Sequence, residues 1–172
     1  QMSCEVSDEQ DMLREQDQNF LRAEGWPQAV RTGLDGDAPL EHSRWQKVVE
    51  MGWTATVIPE EDEGLGLGYL ELSVIAEELG RSLAPIPFSS SVYLATEAIL
   101  LAGTEDQKMQ WLPKLASGEV IGCLADAEAG GQLTEAGLSC HFAEGKVTGR
   151  KIPVADGDVA GLAIVVASRC PV

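Results

Sequence analysis

Basic residues are scarce in this chain. Its 172 residues carry 12 lysines and arginines against 28 aspartates and glutamates, a formal net charge of −16. Without a Lys/Arg patch nothing displaces counterions from phosphates, which excludes a nucleic-acid-binding role. The same charge balance argues against docking on anionic membrane surfaces. Histidine and cysteine are sparse too. His42 and His141 lie far apart, and Cys4, Cys123, Cys140 and Cys170 form no C-x-x-C pair, so no zinc-ligand spacing is present. The plainest reading of each cysteine is a small buried hydrophobe in a reducing cytoplasm. No apolar run is long enough to span a bilayer, and no signal peptide is visible. The motifs of serine hydrolases and zinc proteases, G-x-S-x-G and H-E-x-x-H, are absent as well.

What is there is patterned. At 44% hydrophobic the chain can bury a core, and its length suits one domain or one and a half. Ser7 and Gln10 form a capping-box pattern, and Leu13, Phe20 and Leu21 follow on one face of a helix to about Glu24. Gly33 to Pro39 reads as a polar loop. A second helix is predicted from Leu40 to Met51 around Trp45, Val48 and Val49, with Gly52 placed to end it in the left-handed conformation. Trp53 to Ile58 is a short β-branched run closed by Pro59. Leu72, Ile75, Ala76 and Leu79 mark a third helix stopped by Gly80, and Pro85 and Pro87 an extended link. Val92, Ile99 and Leu100 mark a fourth helix ending near Gly103. A capping box of Thr104 and Gln107 opens a fifth, with Trp111, Leu112 and Leu115, ending near Gly118.

After Gly118 the period changes. Val120 to Ala125 is strand-like. Ser139 to Phe142 and Lys146 to Thr148 flank a turn at Glu144 and Gly145 and read as a hairpin. Lys151 to Val154 is a candidate strand, and the continuous apolar run Leu162 to Ala167 predicts a strand covered on both faces. The expected class is α+β, mainly α: a helical domain over residues 1–118, then an incomplete antiparallel β domain over 119–172.

Two acidic groups invite a functional reading and receive a plain one. Glu60 to Glu63 precede glycines at 64, 66 and 68, but they would repel phosphate and do not alternate as a calcium loop does, so they read as a solvated turn. Glu77 and Glu78 read as a solvated helix face.

Several motifs, in order, carry a resemblance: Pro59-Glu60-Glu61 with its following glycines, Glu77-Glu78-Leu79-Gly80-Arg81, Gly103 to Lys108, and Trp111 to Gly122. The chain resembles the acyl-CoA dehydrogenase family from about residue 7 onward. That resemblance implies an N-terminal helical domain, a middle β domain and a C-terminal helical bundle. It further implies FAD, an acyl-CoA thioester substrate, a glutamate base, and homo- or hetero-oligomers. The 172 residues correspond to the first domain and the opening of the second. No residue is assigned as the base.

The resemblance also names cofactor positions, and here the chain departs from the pattern. The family motif T-E-P-x-A-G-S-D falls on Ala125 to Gln132, so Ala125 and Gly131 stand where flavin-bonding hydroxyls are usual. The motif K-x-W-I-T-N-G falls on Lys151 to Gly157, so Pro153 replaces the aromatic beside the isoalloxazine and Ala155 the threonine. Leu124 precedes this set. Each lost hydrogen bond costs on the order of 1 kcal/mol, and the lost aromatic about as much again, so FAD binding is expected to be weak or absent in this chain. The expected function is flavin-dependent α,β-dehydrogenation of acyl-CoA thioesters. The alternatives are a flavin-less partner subunit of a heteromeric dehydrogenase, or a helical interaction module.

Overall fold

The computed structural model describes residues 8–23, 25–26, 42–130, 134 and 137–169. The expectations for Ser7, the 33–39 loop, the helix start at Leu40, Cys4, Cys170 and Gly131 lie outside them. Contacts divide the chain into two compact units, Gln1–Ile86 and Pro87–Val172.

In the first unit, α1 (Asp8–Ala23) packs along a helix at Tyr69–Ser82, while α2 (His42–Glu50) buries Trp45 and Val48. On α1 the inward positions are Leu13, Asp17, Phe20 and Leu21, spaced as one helical face. Phe20 meets Trp53 edge to face at 5.3 Å. Gly52 ends the α2 region with φ 76°, as its position predicted. The run after it is not extended: Trp53–Ala55 forms a 3-10 turn with all three residues buried. A ladder then holds the glycine loop against it. The backbone N–H groups of Leu65, Gly66 and Leu67 donate to the carbonyls of Ala55, Ile58 and Thr56 at 2.8–2.9 Å. A Cβ on Gly64 would sit 1.9 Å from the Ile58 carbonyl oxygen, so glycine here serves close backbone approach.

The Tyr69–Ser82 helix, α3, continues through Gly80 rather than stopping there. Glu71 caps its start by accepting from the Gly68 N–H at 2.9 Å. It ends at Leu83, which takes the left-handed conformation at φ 50°. Gly80 has open space around it, and the Arg81 guanidinium reaches back one turn to Glu77 at 2.6 Å, so the last turn is stitched by side chains beyond the glycine.

The second unit begins with a wide helical segment at Ser89–Thr96, wound as a π-helix, which runs directly into α4 (Glu97–Ala102). The Thr96 hydroxyl donates to the Ser91 carbonyl five residues back, at 2.8 Å. Helix α5 (Glu105–Ala116) opens with the expected box: the Thr104 hydroxyl accepts from the Gln107 N–H, and the Gln107 side chain accepts from the Thr104 N–H. Leu112 and Leu115 are its buried face.

All described strands follow Gly118. Strand β1 (Gly122–Ala125) packs on the π-helix and pairs in parallel with β4 (Leu162–Val165), with Leu124 opposite Ile164 and Ala125 opposite Val165. Strands β2 (His141–Ala143) and β3 (Lys146–Thr148) form the expected hairpin, and β2 also pairs in parallel with β5 (Ser168–Arg169). Antiparallel pairing therefore holds for the hairpin alone among the described strands. Lys151 to Val154 is not a strand: Pro153 has no N–H to donate, and in place of a ladder the Ile152 N–H makes a single backbone bond to the Ala127 carbonyl at 2.9 Å. Strand β4 is not covered on both faces either; its residues alternate between half-buried and exposed.

Candidate functional site

The positions implied for the cofactor lie on two segments of the second unit. Leu124 and Ala125 end β1, where Leu124 is half-buried and Ala125 buried. Pro153 and Ala155 are exposed on the turn that follows Lys151. The segments are tied together just beyond these residues. Lys151 Nζ donates to the Asp126 carbonyl at 3.1 Å and to Glu128 Oε1 at 2.8 Å, alongside the Ile152–Ala127 backbone bond. Sequence and structure thus bring four of the five implied residues into one region. The fifth, Gly131, lies outside the described residues.

Glu128 is the organising residue that sequence reasoning missed. Besides Lys151 it accepts from the Ser139 hydroxyl at 2.5 Å, the Ser139 N–H at 2.7 Å and the Cys140 N–H at 2.9 Å. The lysine, then the Ser139 and Cys140 donors, hold its carboxyl down at about 2. Both side chains of the Glu128–Lys151 pair are almost fully buried. The signal in the sequence was faint, because the partners sit 23 residues apart and neither motif advertises the other.

Two hydroxyls from the π-helix reach the same region. Ser91 Oγ accepts from the Gly122 N–H at 3.1 Å, and Ser90 Oγ donates to Asp156 Oδ2 at 2.5 Å. Asp156 adopts φ 56°. Cys123, buried on β1, has its thiol pushed up by burial and then by the Asp156 charge. Tyr93 on the π-helix is pushed up to about 12 by burial, its ring set edge to face against Phe88 at 5.4 Å.

In the first unit, the reading of Glu77 and Glu78 as a solvated face holds for one of them. Glu78 is 3% exposed. It accepts from Gln18 Nε2 at 3.1 Å and Arg14 Nη1 at 3.3 Å, and Arg81 Nε lies 3.6 Å away. Helical spacing placed Glu78 beside the apolar stripe, and α1 supplies partners that make its burial tolerable. A cavity of about 240 Å³ adjoins it, lined by Gln18, Leu21, Arg22, Glu78, Arg81 and Ser82. Glu60–Asp62 form a short 3-10 turn; Glu60, Glu61 and Glu63 are exposed, as a solvated turn requires, and Asp62 is half-buried. Among the described residues, no group of three or more His, Cys, Asp or Glu is placed to hold a metal, and no helix is long and apolar enough to cross a membrane.

The family model for the N-terminal domain of acyl-CoA dehydrogenases matches residues 7–119. The mitochondrial short-chain specific acyl-CoA dehydrogenase of Bos taurus is 35% identical over 132 residues, 74% of this chain and 31% of its own length. An acyl-CoA dehydrogenase from Geobacillus kaustophilus superposes with a TM-score of 0.82 at 28% identity, over 96% of this chain and 44% of that one. An acyl-CoA dehydrogenase of Bacillus anthracis solved with FAD gives 0.80 at 26% identity, over 96% and 29%. The chain belongs to the acyl-CoA dehydrogenase family. It spans less than half the length of these relatives.

Against a flavin, the side chains at the implied positions fit poorly. Leu124, Ala125, Pro153 and Ala155 are all aliphatic and offer no hydrogen-bond donor and no ring face. The polar groups nearby are turned to one another: Glu128 is surrounded by its four donors and Asp156 is bound to Ser90.

Proposed function

We propose that this chain forms the helical and cofactor-facing part of a flavin-dependent acyl-CoA dehydrogenase-type oxidoreductase, with residues 1–118 as the helical domain and 119–172 as part of the middle β domain. The supporting observation is the convergence of Leu124 and Ala125 with the Pro153–Ala155 turn, held by Lys151 and Glu128. FAD, when bound, supplies the hydride acceptor for oxidation next to a thioester carbonyl. This chain's residues contribute position and an apolar wall. Glu128, held at about 2, is too weak a base to remove a proton α to a thioester. By itself the chain is expected not to oxidise acyl-CoA with an artificial electron acceptor, and it works within an oligomer. The free buried thiols Cys123 and Cys140 suit a reducing cytoplasm.

The same aliphatic lining sets the expected affinity. Without side-chain donors at 125, 153 and 155, FAD retention by this chain falls well short of one per chain. The test is flavin absorbance of the purified protein together with FAD titration by fluorescence quenching. A colourless preparation that binds FAD weakly, and more tightly in Ala125→Thr, fits the proposal. A yellow preparation with one flavin per chain would show that backbone groups suffice. Failure to bind FAD in Ala125→Thr as well would favour a flavin-less subunit whose catalytic partner is another chain.

A further inference from the structure

Three consecutive serines, Ser89 to Ser91, open the second unit's first helix. Adjacent residues of an α-helix diverge around its axis, so two neighbours rarely serve one wall. The π winding of Ser89–Thr96 spreads each turn over more residues and so narrows that divergence. Ser90 and Ser91 are accordingly both buried, at 2% and 1% exposure, and both bonded to the strand region. Ser91 takes the β1 end at Gly122, and Ser90 takes the far turn at Asp156, with the Ala155 carbonyl 3.5 Å from the same hydroxyl. Asp156 gains from such a partner. Its φ of 56° lies in the left-handed region, which aspartate tolerates better than most side chains, and the Ser90 bond holds the side chain to one direction there.

We propose that Ser90 is a positioning residue: through Asp156 it fixes the Pro153–Gly157 turn against β1, and so sets where Pro153 and Ala155 lie relative to Leu124 and Ala125. The inference rests on the reading that these four residues line the cofactor-facing region, but its mechanics need no cofactor. The π-helix acts as a two-pronged brace, one hydroxyl to each wall.

The test uses the whole chain and two readouts without flavin. Hydrogen exchange by mass spectrometry follows the peptide spanning 152–160, and the ultraviolet thiolate absorbance of Cys123 against pH, read with the other cysteines replaced by alanine, reports how closely Asp156 approaches its buried thiol. In Ser90→Ala, exchange in that peptide rises roughly tenfold or more, as expected for losing a hydrogen bond to a charged acceptor, and the Cys123 midpoint moves to lower pH. Ser90→Thr keeps the hydroxyl and restores both. Asp156→Asn keeps an acceptor, so exchange stays protected, while the Cys123 midpoint still falls because the charge is gone. Unchanged exchange in Ser90→Ala, an unmoved Cys123 profile, or failure of Ser90→Thr to rescue would overturn the proposal. FAD titrations test the functional reading separately, so either can fail alone.

Discussion

Gly122→Ala is the sharpest probe of how β1 is seated. A Cβ at this position would lie 2.4 Å from the Ala95 Cβ, 3.3 Å from Leu115 Cδ2 and 3.9 Å from the Ala95 Cα. Carbon atoms in van der Waals contact sit about 3.5–4.0 Å apart, so the intrusion on Ala95 is about 1 Å. Ala95 has no torsion with which to yield, because its Cβ is fixed to the π-helix backbone. The strand and helix must therefore part, which also stretches the Gly122–Ser91 bond. Overpacking of this kind costs about 1–3 kcal/mol, and the stiffer unfolded chain of the alanine variant offsets at most about 1 of that. Because Ala95 cannot yield, the overpacking falls in the upper part of that range, about 2–3 kcal/mol, so the expected net loss is about 1–2.5 kcal/mol, or roughly 2–10 °C in Tm for a chain of this size. Thermal and urea unfolding followed by circular dichroism would measure it. Ala95→Gly alone should cost about 1 kcal/mol through backbone entropy, yet it opens the space that a methyl group at position 122 needs. The double variant should then be more stable than the two single losses predict, by about 1 kcal/mol or more. A Gly122→Ala protein within about 0.5 kcal/mol of wild type, or strictly additive losses, would mean that β1 does not press on the π-helix as described.

Two carboxylates give pH dependences of opposite sign. The Glu128 carboxyl is lowered from an ordinary 4.5 to about 2, so its stabilisation is complete above about pH 4.5 and is lost as pH falls toward 2. Glu128→Gln should flatten the acid limb of a stability-versus-pH curve, and a limb unchanged in that variant would contradict the assignment. Asp17 is the reverse case: at 1% exposure, burial raises its carboxyl from 3.8 to about 6 against the opposing bond from Trp53, with Glu78 adding to the rise. Its contribution is fully present below about pH 3.8 and lost as pH rises through 6, so Asp17→Asn should gain stability at pH 7 relative to wild type and gain little at pH 4. Equal effects at both pH values would refute a buried charge at that position.

The elements legible in the sequence were those whose signal is local. The Thr104–Gln107 box, the left-handed Gly52 and the Glu144–Gly145 hairpin each depend on residues a few positions apart, and the structure places all three as expected. Where structure and sequence pattern part, the cause is different. Glycine weakens a helix and marks a stop at Gly80, but Arg81 and Ser82 reach back to Glu77 and Glu78 and carry the helix onward. Glu78 has the pattern of a solvated face, because a lone sequence cannot show Arg14 and Gln18 arriving from 60 or more residues away. Lys151 to Val154 resembled a strand by composition and failed as one for want of a donor at Pro153.

The region around Leu124, Ala125, Pro153 and Ala155 shows the same limit from the other side. The family motifs name these positions and the side chains usual there, but what the neighbouring polar groups do is set by contacts between residues far apart in the sequence. Glu128 draws in the Lys151 ammonium, the Ser139 hydroxyl and two backbone N–H groups, and Asp156 draws in Ser90. Each of these groups is satisfied within the protein, so none requires a cofactor to complete its hydrogen bonding. No buried polar side chain is therefore left orphaned in this region among the described residues; the buried atoms without partners, Asp17 Oδ2 and Trp26 Nε1, are both in the first unit. A region that had merely lost its contacts would leave such groups exposed to penalty. This one has closed on itself, so the turn that carries Pro153 and Ala155 is expected to hold its shape whether or not a flavin is near.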